Sequence, residues 1–287
     1  GADGPVIIDL PQAVDAAGNN HASRMLLRDV DNLRSFFGRF APELLDTDYG
    51  REIWDLYQRG LLHTEVVLTG RRLAHVLAVH QATVGESLRV GELNGLMGSG
   101  AITELSPERL CMRVVLSESP PPKQPVILVL ALPRPKMLKR ILQMVTTLGV
   151  EHVVLINSYR VEKSFWQSPW LSEVAIHEQL LLGLEQARDT VLPKITLAKR
   201  FKPFVEDDLP DLLLGREGWL AHPVDATECP THVGRPQLVA IGPEGGFIPY
   251  EVSLLQAAGL KPVSLGARIL RVETAVAVAL GKLLPLI

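Results

Sequence analysis

The clearest hydrophobic pattern lies in the second half of the chain. Residues 126–133, "VILVLALP", form an unbroken apolar run, as expected of a strand buried on both faces. Met137, Leu138, Ile141, Leu142, Val145 and Leu148 repeat at helical spacing, and Gly149 follows as a natural helix stop. "HVVLIN" at 152–157 reads as a second buried strand. A long helix is predicted from about Ser172 to Thr190. "EGWLAHP", "QLVAIG" and "PVSLG" read as further strands, and "ETAVAVALGKLL" as a closing helix. Alternating strands and helices predict an α/β domain with a mostly parallel sheet.

The first half follows other rules. "TEVVLTG" reads as a strand ended by Gly70, and Leu73, Val76 and Leu77 have helical spacing. Residues 86–105 alternate around Asn94-Gly95, a hairpin signal, and "RLCMRVVL" gives another strand. Short strands around one hairpin predict a small β-barrel. Ahead of it stand two amphipathic helical patterns. One holds Leu33, Phe36, Phe37 and Phe40; the other holds Ile53, Trp54, Tyr57 and Leu61; Pro42 separates them. They are expected to form a helical hairpin that packs on its neighbour. Pro120-Pro121-Pro122 makes a stiff linker. The expected division is therefore a helical extension at 1–60, a barrel at 61–120 and the α/β domain at 121–287.

Charge sharpens this division. The 287 residues carry a net charge of −3, but every lysine lies at Lys123 or later. Residues 1–120 hold 11 arginines against 16 acids, whereas residues 121–287 hold 18 basic residues against 16 acids. The halves are expected to do different work. Cys111 and Cys229 are too few for a disulfide scaffold or a cysteine-rich zinc site, and they read as buried free thiols. No apolar run reaches the roughly 18 residues of a membrane span. The first residues lack the basic-then-apolar order of a secretory signal. A cytoplasmic protein is the expectation.

Ligands of open α/β sheets bind beyond the carboxyl ends of the strands. Two such ends stand out. Strand 238–241 runs into Gly242-Pro243-Glu244-Gly245-Gly246, where three glycines permit close backbone approach to a ligand, or simply a tight turn. Strand 263–265 runs into Gly266 and a loop with Arg268 and Arg271, then a helix near Glu273. Glu273 can serve chemistry or the helix dipole. Two ends of this kind favour a shared pocket. The usual signatures are missing: there is no P-loop, G-x-G-x-x-G, H-E-x-x-H, C-x-x-C or G-x-S-x-G. The eight histidines are scattered, and His75 and His80 are five apart, a poor spacing for one helix face. No metal site is expected.

"IGPEGGF" at 241–247 with "LGARILRVETA" at 265–275 resembles the two signature segments of the ribosomal small-subunit RNA (uracil-N3)-methyltransferase family, within the SPOUT superfamily. Residues 130–168 and 181–193 resemble its other blocks, and residues 66–95 resemble its PUA-like barrel. The resemblance covers about 62–287. It implies a trefoil-knotted C-terminal domain, S-adenosylmethionine (SAM) as methyl donor and a homodimer. It also implies a cofactor cradle of Ile241, Gly242, Pro243, Glu244, Gly245, Gly246, Leu265, Gly266, Ile269, Leu270 and Thr274. Arg268 and Arg271 would stabilise the uracil anion or bind phosphate; Glu244 and Glu273 would be the base or orient the arginines. Docking of ribosomal RNA would use Arg71 and Arg72 in the barrel, and Arg134, Lys136, Arg160, Lys163, Lys199 and Arg200 in the α/β domain.

The chain also departs from the family. Gln143–Gly149 lacks a Lys and a Glu common there, and Arg188 stands three rather than four residues after Glu185. Two other readings of the same fold are a non-catalytic RNA-binding or assembly factor, and a methyltransferase of another RNA.

Overall fold

The computed structural model describes residues 22–46, 48, 51 and 64–284. The predicted second helix of the extension, at 53–61, lies outside the described residues. The chain divides into two units: 1–90 with 98–118, and 91–97 with 119–287.

In the first unit, helix α1 (Ala22–Phe37) is followed by a 3-10 turn that starts at Pro42. The aromatic stripe was expected to pack on a neighbour. Instead Leu33, Phe36, Phe37 and Phe40 are 46–78% exposed, and Phe36 meets Phe37 and Phe40 edge to face. Strands β1 (Thr64–Leu68), β2 (Ser87–Gly91), β3 (Met97–Leu105) and β4 (Leu110–Glu118) form one sheet in the order β1-β4-β3-β2, with β1 antiparallel to β4. Among the described residues β1 and β2 remain its two edges, so the expected barrel closure is not seen. Helix α2 (Gly70–His75) lays Leu73, and the residue after the helix, Val76, on the core of Ile102, Leu110, Met112 and Val114. Beyond it the backbone widens to a π-helical turn, Val76–His80. That turn brings His75 and His80 together, ring centroids 5.4 Å apart. A five-residue spacing is poor on an α-helix but matches the i→i+5 bonding of a π-helical turn. Two of the unit's arginines are spent internally: Arg89 pairs with Glu118, and Arg109 with Glu104 at 2.7 Å.

The second unit holds a seven-stranded sheet. Its strands are β5 (Gln124–Ala131), β6 (Val150–Ile156), β7 (Lys194–Ala198), β8 (Glu217–Ala221), β9 (Thr227–Glu228), β10 (Gln237–Ile241) and β11 (Lys261–Ser264). The order is β7-β6-β5-β10-β8-β11-β9, and every neighbouring pair is parallel. All carboxyl ends therefore share one edge. Val126–Leu132 and Leu238–Ile241 are at most 3% exposed, because helices cover both faces of the central strands.

Helix α3 (Pro135–Thr147) starts with proline at its first position and ends at Gly149, φ +71°. It packs on α4 (Glu173–Ala187), whose Gly183 lets the two backbones approach. A Cβ there would lie 2.6 Å from Thr146 Cβ. Gln143 donates to Gln179 at 2.8 Å, and Thr147 Oγ1 to the Gln143 carbonyl at 2.9 Å. The segment that departs from the family thus serves this helix pair. An irregular helix α5 (Phe201–Pro203, Phe204–Asp208, Leu209–Leu213) follows β7, α6 (Pro249–Ala257) follows β10, and α7 (Val272–Leu283) closes the chain. Sequence periodicity missed β7, α5 and α6. Strand β7 is a five-residue edge strand starting on a lysine, and α5 and α6 contain or begin with proline. Both cysteines are buried and free.

Candidate active site

The site lies on the carboxyl edge of the parallel sheet. The loop after β10 turns at Pro243–Gly246, where Gly246 N–H donates to the Pro243 carbonyl at 2.7 Å and Gly246 has φ +71°. The loop after β11 turns at Gly266, φ +135°, with Ser264 Oγ 3.3 Å from both the N and the carbonyl O of Gly266. Only glycine takes these conformations without strain. A Cβ on either residue would meet nothing within 4 Å. The glycines thus leave open space beside the backbone as well as permitting the turn. Gly242 differs: a Cβ there would press on Phe247 N at 3.0 Å, so its role is to fold the loop.

Strand β8 lies between β10 and β11, which puts the two loops two strand spacings apart, about 10 Å. His222 ends β8 in that gap, half-buried, its N–H bonded to the Val263 carbonyl. Scattered histidines gave no hint of this; only the sheet order does.

Of the expected residues, the structure brings Arg134, Arg160, Glu244 and Gly245 together. Arg134 Nε lies 3.7 Å from Glu244 Oε1, and Arg160 donates to the Gly245 carbonyl. Ile241, Gly242 and Pro243 are buried beneath this turn. Leu265 and Leu270 are half-buried, Thr274 is exposed and Ile269 is wholly exposed. Arg268 and Arg271 are exposed, Glu273 is half-buried in the first turn of α7, and these three make no ion pair among the described residues. Arg134 and Lys136 follow β5, Arg160 and Lys163 follow β6, and Lys199 and Arg200 follow β7. All six are exposed, so three adjacent strands deliver cations to one edge. Arg71 and Arg72 are exposed on α2 of the first unit.

Sequence reasoning missed Glu251. It is 3% exposed and accepts N–H groups from Ile248 at 3.0 Å and Tyr159 at 2.7 Å. It thereby caps α6 and ties the loop after β6 to the element that follows the glycine turn. The signal was there as Pro249-x-Glu251, a proline and a third-position acid opening a helix. Ser158, next to Tyr159 in sequence, is a buried hydroxyl whose oxygen has no partner among the described residues.

No group of histidine, cysteine or acidic residues among the described residues is arranged for a metal. No described helix is long and apolar enough to cross a membrane.

A parallel α/β sheet with glycine loops and cations on one edge is a ligand-binding architecture, and comparison gives its class. The profile of the RNA methyltransferase domain matches residues 120–284. A separate profile, of the RIO domain, matches residues 1–49. The chain is 32% identical over 232 residues to ribosomal RNA small subunit methyltransferase E of Treponema pallidum, covering 77% of this chain and 86% of that protein. The fold resembles a ribosomal RNA small subunit methyltransferase E from Neisseria gonorrhoeae bound to S-adenosyl methionine. There the TM-score is 0.60 at 20% identity, over 76% of this chain and 90% of that one. A probable rRNA-methyltransferase from Porphyromonas gingivalis gives a TM-score of 0.55 at 25% identity, over 72% and 87%. This chain belongs to the RNA methyltransferase family.

Proposed function

We propose that the protein transfers a methyl group from SAM to N3 of a uridine in small-subunit ribosomal RNA. The observation that carries this reading is the pair of positive-φ glycines, Gly246 and Gly266, each facing open space on the carboxyl edge. Ile241–Gly246, Leu265, Gly266, Ile269, Leu270 and Thr274 would hold the cofactor, chiefly through backbone amides. The cofactor, when bound, supplies an activated methyl on a good leaving group. The chain must align the acceptor nitrogen with that methyl and take up the N3 proton. Arg268 and Arg271, with no carboxylate to neutralise them among the described residues, are available to stabilise the uracil anion. Glu273, Glu244 and His222 are among the groups at this edge able to accept a proton.

RNA would reach the site over the rim of Arg134, Lys136, Arg160, Lys163, Lys199 and Arg200, with Arg71 and Arg72 of the first unit as further contacts. Phosphate contacts position the strand, and extruding one base into the pocket selects the target. A homodimer fits Ile269, an apolar side chain left wholly exposed beside the site. A trefoil knot fits the way the chain end is tied in. His232 and Val233, just before β10, donate N–H groups to the carbonyls of Lys282 and Leu283 in α7.

Isothermal calorimetry tests the reading. Purified protein should bind SAM, and Arg271→Ala should retain that binding while losing methyl transfer. Absence of SAM binding would favour the non-catalytic assembly factor.

A further inference from the structure

We propose that Tyr159 is a stacking platform for a nucleobase of single-stranded RNA next to the methylation pocket. This rests on the reading above that RNA crosses the basic edge. Segment 157–171 carries three other aromatic residues, and each is used differently from Tyr159. Phe165 and Trp166 pack against the core, and the Trp166 indole N–H donates to Asn157 Oδ1 at 2.9 Å. Trp170 lies under the Lys139 ammonium, 3.7 Å from the ring centroid. Tyr159 neither packs on the core nor has a ring or cation partner among the described residues, and it stands 79% exposed.

Its backbone is nevertheless fixed. The N–H is held by the buried Glu251 carboxylate at 2.7 Å, and the next residue, Arg160, is bonded to the Gly245 carbonyl. The Tyr159 main chain is therefore held to α6 through Glu251, and the side chain of its neighbour reaches the glycine turn. A ring kept in water on a firmly held turn loses little freedom on binding a flat partner. The cations around it select the partner. Arg160 adjoins it, Lys163 follows in the same loop, and Lys199 and Arg200 leave the neighbouring strand β7. An exposed aromatic ring set among cations that track a phosphate backbone is how single strands are gripped without sequence preference.

The test is fluorescence-anisotropy titration of labelled single-stranded oligouridylate onto the full chain, Tyr159→Ala and Tyr159→Trp, with SAM calorimetry and sedimentation in parallel. Tyr159→Ala should weaken RNA binding about 5- to 100-fold. Tyr159→Trp should stay within about threefold of the unchanged chain, since its ring can still stack. SAM affinity and oligomeric state should not move. Unchanged RNA affinity in Tyr159→Ala overturns the proposal. So does an equal loss in Tyr159→Trp, or a shift in oligomeric state, which would make the ring a contact between copies. An unchanged chain that fails to bind the oligouridylate overturns it as well. Methyl transfer is measured separately, so loss of stacking and failure of the enzymatic reading are told apart.

Discussion

Glu251 and Tyr159 are 92 residues apart in sequence, and the carboxylate of one holds the backbone N–H of the other at 2.7 Å. The second carboxylate oxygen caps α6 through Ile248 N–H. One buried side chain therefore fixes the loops that follow two different strands. Glu251→Ala should lower stability by about 2–4 kcal/mol, since two backbone donors lose their acceptor in the interior. Glu251→Gln should fall between, because its amide can accept one N–H but opposes the other with its NH2. Urea denaturation measures both; a loss under about 0.5 kcal/mol in the alanine variant would contradict this role.

Gly266→Ala should cost backbone energy and little else, because a Cβ there has open space. At φ +135° the destabilisation should be on the order of 1–3 kcal/mol. If the loop cradles SAM, calorimetry should show at least about tenfold weaker binding, the equivalent of 1.4 kcal/mol. Wild-type affinity in a folded variant would remove this loop from the cradle.

His152 sets a pH dependence of stability. Burial, then the positive charges of Lys194 and Arg216, push its pKa down to about 4, and the ring bonds Thr196 Oγ1 at 2.9 Å. In the unfolded chain it returns to about 6.5. Between these values the unfolded state binds the extra proton, so folding is favoured less as pH falls from 6.5 towards 4. This group should contribute no slope above pH 6.5. The whole fall is at most about 3 kcal/mol. Denaturation midpoints against pH should show it, and His152→Asn should flatten that stretch. An unchanged slope in the variant would show that other groups cause it.

The basic edge predicts a salt signature. Replacing Lys163 or Lys199 by alanine should each lower the slope of log affinity against log salt by about 0.7 for single-stranded RNA. Affinities should fall alike for different sequences, because phosphate contacts do not read bases. A loss confined to one sequence would mean the lysine touches a base.

Much of the second unit was legible in the sequence because its strands are buried on both faces. Val126–Leu132 and Leu238–Ile241 can only be apolar there, and the helix α3 stripe is forced by the sheet beneath it. What escaped was set by tertiary order. His222 enters the site because β8 lies between β10 and β11, which no local pattern states. Tyr159 and Glu251 meet across two loops. The His75–His80 contact needs a π-helical turn that spacing on an α-helix rules out. Periodicity reports an apolar face on α1 without reporting what covers it, and the expected partner helix lies outside the described residues.

The most direct test is nucleoside mass spectrometry of small-subunit ribosomal RNA from cells with and without the gene. The account predicts that one 3-methyluridine is lost on deletion, returns with the intact chain and does not return with Arg271→Ala. Small-subunit RNA with the same nucleosides in both strains would contradict it.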